Sequence, residues 1–231
     1  MLIKKKIEQS VKNFLNIIFF IEICYFYSYI ASISYRVYLK FMSILINYKN
    51  SSYKRNSSSL VLFVDDKFNI SPIRKHLSTH ENSFVSDLIK AKDIKNNILA
   101  FDISSKRKII LISLKRDSKP ADIENLGAKF YDIFKKSKQD KFYVDTDSIS
   151  HKVKNVIGHF LHGLKLKSYN FNKYKTKKSN IKISITVVGK NKPSIKVLSK
   201  FKAIEEGTFY ARDLVSEPGN ILHPDEYAKR I

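Results

Sequence analysis

The run LVLFV at residues 60–64, closed by Asp65 and Asp66, is the stretch that decides the fold. It joins five apolar residues, among them two valines and a phenylalanine, and a pair of acidic residues ends it. A short apolar run of this composition with a polar boundary predicts a buried β-strand.

Outward from this run, segments of strand and helix character alternate along the chain. The other predicted strands cover residues 98–101, 109–112, 142–144 and 181–188, with a turn at 104–108. The predicted helices cover residues 81–93, a segment with Ser118 as N-cap and Pro120 in its first turn, residues 150–166 and residues 194–215. Strands separated by helices predict an α/β fold, a three-layer α/β/α sandwich with a mixed, largely parallel sheet and a C-terminal linker helix.

The composition is that of a strongly basic chain. Its formal net charge is +22, and 36 of its 43 basic residues are lysine. Arginine is the usual choice for forked contacts to phosphate, so a lysine excess is also typical of compositional drift on a solvated surface. Cys24 is the single cysteine, which excludes an internal disulfide and a Cys-rich zinc site.

The first 41 residues differ from the rest and leave three interpretations open. Residues 14–34 carry no Lys or Arg and are long enough to cross a bilayer as a helix, but Glu22 lies in the middle of them. Translation that truly begins at Met42 would make residues 1–41 a misassigned start, with the polar residues 47–58 leading into the first strand. The third interpretation is a buried helix. A membrane partner is expected only if residues 14–34 are a real segment.

Two stretches carry a family resemblance. The first covers residues 163–175 and contains Tyr169, Phe171 and Tyr174 in the pattern Y-x-F-x-x-Y-K. The second covers residues 211–224 and is close to A-R-D-L-V-N-E-P-P-N-x-L-T-P, departing from it at Ser216, Gly219 and His223. The residues that carry this second match are Ala211, Arg212, Asp213, Leu214, Glu217, Pro218, Asn220 and Pro224. The two motifs, in this order, resemble the N-terminal domain of the leucyl (cytosol) aminopeptidases over residues 58–231.

The resemblance implies a domain organisation and a function. Residues 42–193 would be the macro-like N-terminal α/β domain, and residues 194–231 the linker helix and the junction to a catalytic domain. In the family that later domain carries the signature N-T-D-A-E-G-R and two divalent ions, manganese or zinc, and it removes N-terminal residues from peptides. The signature does not occur in this sequence. We therefore expect an inactive, cytoplasmic fragment of a hexameric metallopeptidase, with no catalytic, metal or cofactor residue of its own.

Around the second motif, local chemistry predicts a helix end. Pro218 disfavours helical geometry at Glu217, and Gly219 is able to take a positive φ. Pro224, followed by Asp225 and Glu226, predicts the start of another helix with negative charge at its positive end.

Lysines and aromatic residues are interleaved within and after the first motif, and this cluster is the best candidate for contact with nucleic acid, DNA in particular. Its lysines are Lys165, Lys167, Lys173, Lys175, Lys177 and Lys178. The alternative is a packing motif whose surface lysines follow composition. A basic nucleic-acid-binding or subunit-binding module, or a pseudogene fragment without function, are the other hypotheses for the whole chain.

Two further groups have metal-ligand chemistry but weak spacing. His151, His159 and His162 share one predicted helix and are interpreted as polar-face histidines, since no further zinc ligand lies nearby. Asp145 and Asp147 flank Thr146 after a strand and are interpreted as ordinary loop residues. Glycine-rich phosphate loops and a serine nucleophile elbow are absent from the sequence.

Overall fold

The run at residues 60–64 lies inside a six-stranded sheet. The computed structural model describes residues 44–49, 59–91, 96–105, 107–137, 140–149, 153–176 and 183–231. The chain divides into two units, Met1–Met42 and Ser43–Ile231, and every described residue lies in the second. The predictions for residues 1–41 therefore fall outside the described residues.

The sheet is mixed and largely parallel, as predicted. Its strands are β1 (Ile44–Lys49), β2 (Ser59–Val64), β3 (Ile98–Ser104), β4 (Arg107–Ser113), β5 (Lys141–Asp145) and β6 (Ile183–Val188). They lie side by side in the order β1-β6-β5-β2-β4-β3. All neighbouring strands are parallel except β3 and β4, which form an antiparallel hairpin at one edge.

Helices cover both faces of this sheet. They are α1 (Thr79–Ala91), α2 (Pro120–Phe134), α3 (Val156–Ser168), α4 (Ile195–Ser216) and α5 (Pro224–Arg230), with 3₁₀ helices at Ser71–His76 and Thr146–Ser148. Because side chains alternate along a strand, Val61 and Phe63 of β2 join the core under α2 and α3, while Leu60 and Leu62 join the core around Val85 of α1. The predicted three-layer sandwich is confirmed.

Strand β1 is missing from the sequence-based prediction, which treats residues 47–58 as a polar leader. Ile44–Lys49 instead pairs in parallel with β6, so β6 is an interior strand. Leu45, Asn47 and Tyr48 are exposed, because an edge strand has one neighbour and a poorly covered face. Its pairing partner lies about 140 residues later, so no local pattern reveals it.

Two helix starts were also predicted wrongly. Helix α2 has Lys119, not Ser118, at its N-cap, and the Asp122 carboxylate accepts a hydrogen bond from the Lys119 backbone N–H at 2.9 Å. Helix α3 begins at Val156 rather than near residue 150. Asn155 just before it has a φ of 56°, a left-handed conformation that a helix does not continue through.

Helices α2 and α3 touch backbone to backbone. A Cβ atom on Gly127 would lie 2.0 Å from the Phe160 carbonyl oxygen, and one on Gly163 would lie 1.9 Å from the Glu124 carbonyl oxygen. Glycine is therefore required at both positions, and Gly163 is the first residue of the first motif.

In the described part of the chain, no helix combines the length and the apolar character that crossing a membrane requires.

Candidate functional site

The two sequence motifs meet in space at the ends of α3 and α4. The Tyr169 hydroxyl donates a hydrogen bond to Asp213 Oδ1 at 2.7 Å, and Arg212 Nη1 donates to the Leu166 carbonyl oxygen at 2.6 Å. The Arg212 guanidinium carbon lies 5.5 Å from the centre of the Tyr169 ring, a cation–π contact. We call residues 169–175 and 211–231 the junction.

Glu217 is the centre of the junction. Its carboxylate accepts hydrogen bonds from Lys173 Nζ, from the Tyr174 hydroxyl and from Arg230 Nη1, the last at 3.1 Å. The Glu217 side chain is only 3% exposed. An ionised carboxylate accepts several hydrogen bonds at once, so three donors from two separate segments converge on one acceptor.

The charge of Glu217 is strongly stabilised by this arrangement. Hydrogen bonds from Lys173 and Tyr174, with Arg230 adding a third, lower the pKa of Glu217 to about 2. The same carboxylate raises the pKa of the Lys173 ammonium group and of the Tyr174 hydroxyl. At neutral pH the junction therefore contains an ionised carboxylate held by protonated partners.

The chain turn after Glu217 differs in one respect from the prediction. Glu217 is extended, as the following proline requires, and the Pro218 carbonyl oxygen accepts hydrogen bonds from the backbone N–H groups of Ile221 and Leu222. Gly219 does not use a positive φ: among the described glycines only Gly189 does. Asn220 is exposed, and Pro224 begins α5 as predicted.

A second set of contacts, which the sequence analysis missed, docks α4 onto α3. The Phe201 ring lies between the rings of His159 and His162, with centroid distances of 4.9 and 4.8 Å. Glu205 lies one turn further along, within 3.0 Å of His162 Nδ1 and 2.8 Å of Lys165 Nζ. These two are the buried residues of α4. Glu205 follows Phe201 by one helical turn and therefore lies on the same face of α4. A charged residue on this apolar face is the sequence signal that would have indicated a buried partner for its carboxylate.

Comparison with known proteins agrees with the resemblance. No family model matches the chain. A probable cytosol aminopeptidase of Clostridium perfringens is 27% identical over 199 residues, which are 79% of this chain and 39% of that protein. One from Rickettsia bellii is 27% identical over 76% of this chain and 38% of its own, and one from Agrobacterium fabrum is 31% identical over 58% and 29%.

The chain is similar to the N-terminal region of the cytosol aminopeptidases. It spans less than two fifths of the length of the relatives it matches. Among solved structures, a mutant of tomato leucine aminopeptidase superposes with a TM-score of 0.64 at 18% identity, over 80% of this chain and 41% of that one. The bottromycin maturation enzyme BotP gives 0.52 at 14% identity, over 75% and 36%. These two likenesses support the fold.

The candidate nucleic-acid lysines that the structure describes have acceptors within this aminopeptidase-like fold. Lys165 pairs with Glu205, Lys167 Nζ lies 3.1 Å from Asp132 Oδ2, Lys173 pairs with Glu217, and Lys175 Nζ lies 3.1 Å from Asn170 Oδ1. Lys177 and Lys178 lie outside the described residues. Contact of this cluster with nucleic acid remains a prediction, and it would compete with these internal contacts.

The loop aspartates and the histidines are also engaged. Asp145 Oδ2 lies 2.7 Å from His76 Nδ1, and Asp147 Oδ1 accepts a hydrogen bond from the Lys190 backbone N–H at 2.7 Å. His159 Nδ1 lies 2.8 Å from Glu124, and His162 is 5% exposed, so the interpretation of His162 as a polar-face residue was wrong. His151 lies outside the described residues. Within the described ranges, no three His, Cys, Asp or Glu side chains group in a way that could hold a metal ion.

Proposed function

We propose that this chain is the non-catalytic N-terminal part of a metal-dependent aminopeptidase, and that its role is to hold and orient a catalytic region that follows the junction. The relatives support this: the matches cover 76–79% of the chain but only 38–39% of the related aminopeptidases. The observation that carries the proposal is the junction itself. Both motifs that resemble the family are used to fix the path of the chain at its carboxyl-terminal end.

The 231 residues are proposed to lack peptidase activity by themselves. Amide hydrolysis by a metal pair needs carboxylate ligands that bridge two ions and a metal-activated water. The catalytic region of the relatives would provide them, and it would hold two manganese or zinc ions. The proposal includes assembly into a hexamer, peptide substrates that bind through the catalytic region, and a cytoplasmic location, all of which come from the family resemblance.

The decisive experiment has a negative and a positive arm. The purified chain is incubated with leucyl-p-nitroanilide and Mn²⁺ or Zn²⁺, and we expect no turnover that a chelator abolishes. In the positive arm, the chain replaces the matched region of the Clostridium perfringens aminopeptidase. The chimera is expected to hydrolyse the substrate, and a chimera without the N-terminal region is the matched control. Chelator-sensitive turnover by the chain alone would overturn the proposed inactivity.

The alternative of a DNA- or subunit-binding module makes a different prediction. Binding by lysine contacts to phosphate would weaken steeply with salt, with a log–log slope near the number of contacts. The internal pairing of Lys165, Lys167 and Lys173 speaks against this alternative for that face, because a phosphate would compete with carboxylates that already neutralise these ammonium groups.

A further inference from the structure

Helix α5 is attached to the molecule by polar groups. None of its seven residues is buried. Arg230 joins it to α4 in two ways: Arg230 Nη1 contacts Glu217, and the Arg230 carbonyl oxygen accepts a hydrogen bond from the Tyr210 hydroxyl at 2.6 Å. Isolated helices this short are unstable in water, so the helix needs these attachments to persist.

The Glu217 carboxylate connects α5 to a third element as well. Lys173 and Tyr174 reach it from the segment after α3, and Arg230 reaches it from α5. The Lys173 side chain is 51% exposed and that of Arg230 27%, around an acceptor that is 3% exposed. The donors thus shield the acceptor from water, which strengthens each hydrogen bond.

We propose that Glu217 is a latch: it holds α5 against α4, and when it is released α5 unwinds as a unit while the sheet and α2–α3 stay folded. The sheet core contains no residue of α5, so its burial does not depend on that helix. Unwinding costs the contacts of Arg230 and the short helical ladder, a free energy at the low end of local opening.

The arrangement makes the two sides of the latch separable. Arg230→Ala removes the α5 side and leaves Lys173 and Tyr174 on the carboxylate. Glu217→Gln preserves the size of the side chain but removes the charge that all three donors share. The matched control is Glu206→Gln, since Glu206 lies on α4, the helix that ends just before Glu217, is 49% exposed and pairs with Lys202 at 3.8 Å.

Amide hydrogen exchange by mass spectrometry on the full 231-residue chain tests the proposal. Arg230→Ala is expected to speed exchange in residues 225–231 about fivefold, the upper range for a partly exposed ion pair, and to leave residues 169–176 unchanged. Glu217→Gln is expected to speed both segments. Peptides from β2 and α2 are expected to keep the wild-type rate in every variant.

Three results would overturn the latch. One is exchange in residues 225–231 that stays within a factor of two of wild type in both variants. Another is an equal increase in Glu206→Gln, which would make the effect a general loss of charge. The third is exchange in wild-type α5 that already runs at the rate of an unstructured peptide. If Glu217→Gln fails to fold, Arg230→Ala still decides the question.

Discussion

Strand β2 and the junction are stabilised by different physics. The side chains of Leu60, Val61 and Leu62 are fully buried, and any apolar residue of similar volume would preserve most of their contribution. The junction has an acceptor, Glu217, whose three donors come from positions 43, 44 and 13 residues away. The stability gained from burial depends on the apolar character of a whole segment, whereas the junction depends on specific hydrogen bonds between individual side chains. Substitutions should therefore have large and general effects in the core and small, local effects in the junction.

The largest effect is expected from Phe160→Ala. Phe160 is fully buried between β2 and α2, with ring centroids 5.5 Å from Phe63 and 5.6 Å from Phe130. Truncation of such a phenylalanine costs about 3–5 kcal/mol of unfolding free energy through lost burial and the cavity left behind. Urea unfolding followed by circular dichroism measures it. Ile133→Ala, 51% exposed on α2, is the control and should shift the midpoint little.

A loss below about 1 kcal/mol for Phe160→Ala would contradict the core side of the comparison, because a well-packed interior does not collapse around a cavity without cost.

Glu205→Ala is expected to have an intermediate effect on the free energy of unfolding. Glu205 is buried, as the core residues are, and it also makes specific hydrogen bonds, as Glu217 does in the junction. Glu205 and His162 are each 5% exposed, and the carboxylate also accepts from Lys165. Removing it leaves a buried imidazole without its acceptor, which costs about 1.5–3 kcal/mol for hydrogen bonds to a charged group. The cost is measured by urea unfolding. Glu206→Ala, the exposed neighbour, is the matched control.

If Glu205→Ala and Glu206→Ala lose the same stability, Glu205 contributes only helix propensity and its buried contacts carry no net free energy.

The same contrast explains what the sequence could reveal. Local apolar patterns in the sequence predict strand β2 and the helices α2 and α4, and the two motifs could be compared with a family residue by residue. Contacts between distant side chains leave no such trace. Tyr169 and Asp213 are 44 residues apart, and neither residue type implies the other. Strand β1 was missed for the same reason, since its existence depends on pairing with β6.

Local geometry set a second limit to prediction. The left-handed conformation of Asn155 moves the start of α3 by about two turns, although the apolar stripe of the predicted helix continues through this region. The direct approach of Gly163 to the Glu124 carbonyl oxygen is equally invisible before the helices are placed. Gly163 could be recognised as part of the first motif, but only the structure shows why a glycine is required at that position.

The smallest effect on global stability is expected from protonation of Glu217. The titration of this carboxyl group is also the most specific test of the junction. Its pKa in the folded chain is about 2, lowered chiefly by Lys173 and Tyr174 from the ordinary value of 4.5. Folding therefore favours the ionised form. The contribution to stability is fully present above pH 4.5 and is lost as the pH falls from there through about 2. Carboxyl-carbon NMR of the ¹³C-labelled chain should report this low pKa directly.

Lys173→Met sharpens the test, because it removes the largest cause of the shift and keeps most of the side-chain bulk. In this variant the pKa of Glu217 should move up toward its ordinary value, while Tyr174 and Arg230 keep it partly lowered. Unfolding by urea at pH 7 should change little, since Lys173 is half exposed and is not a member of either core cluster. A Glu217 that titrates near its ordinary value in the unsubstituted chain would mean that the three donors do not meet on it in solution. The junction would then be an ordinary solvated surface, and its contrast with β2 would disappear.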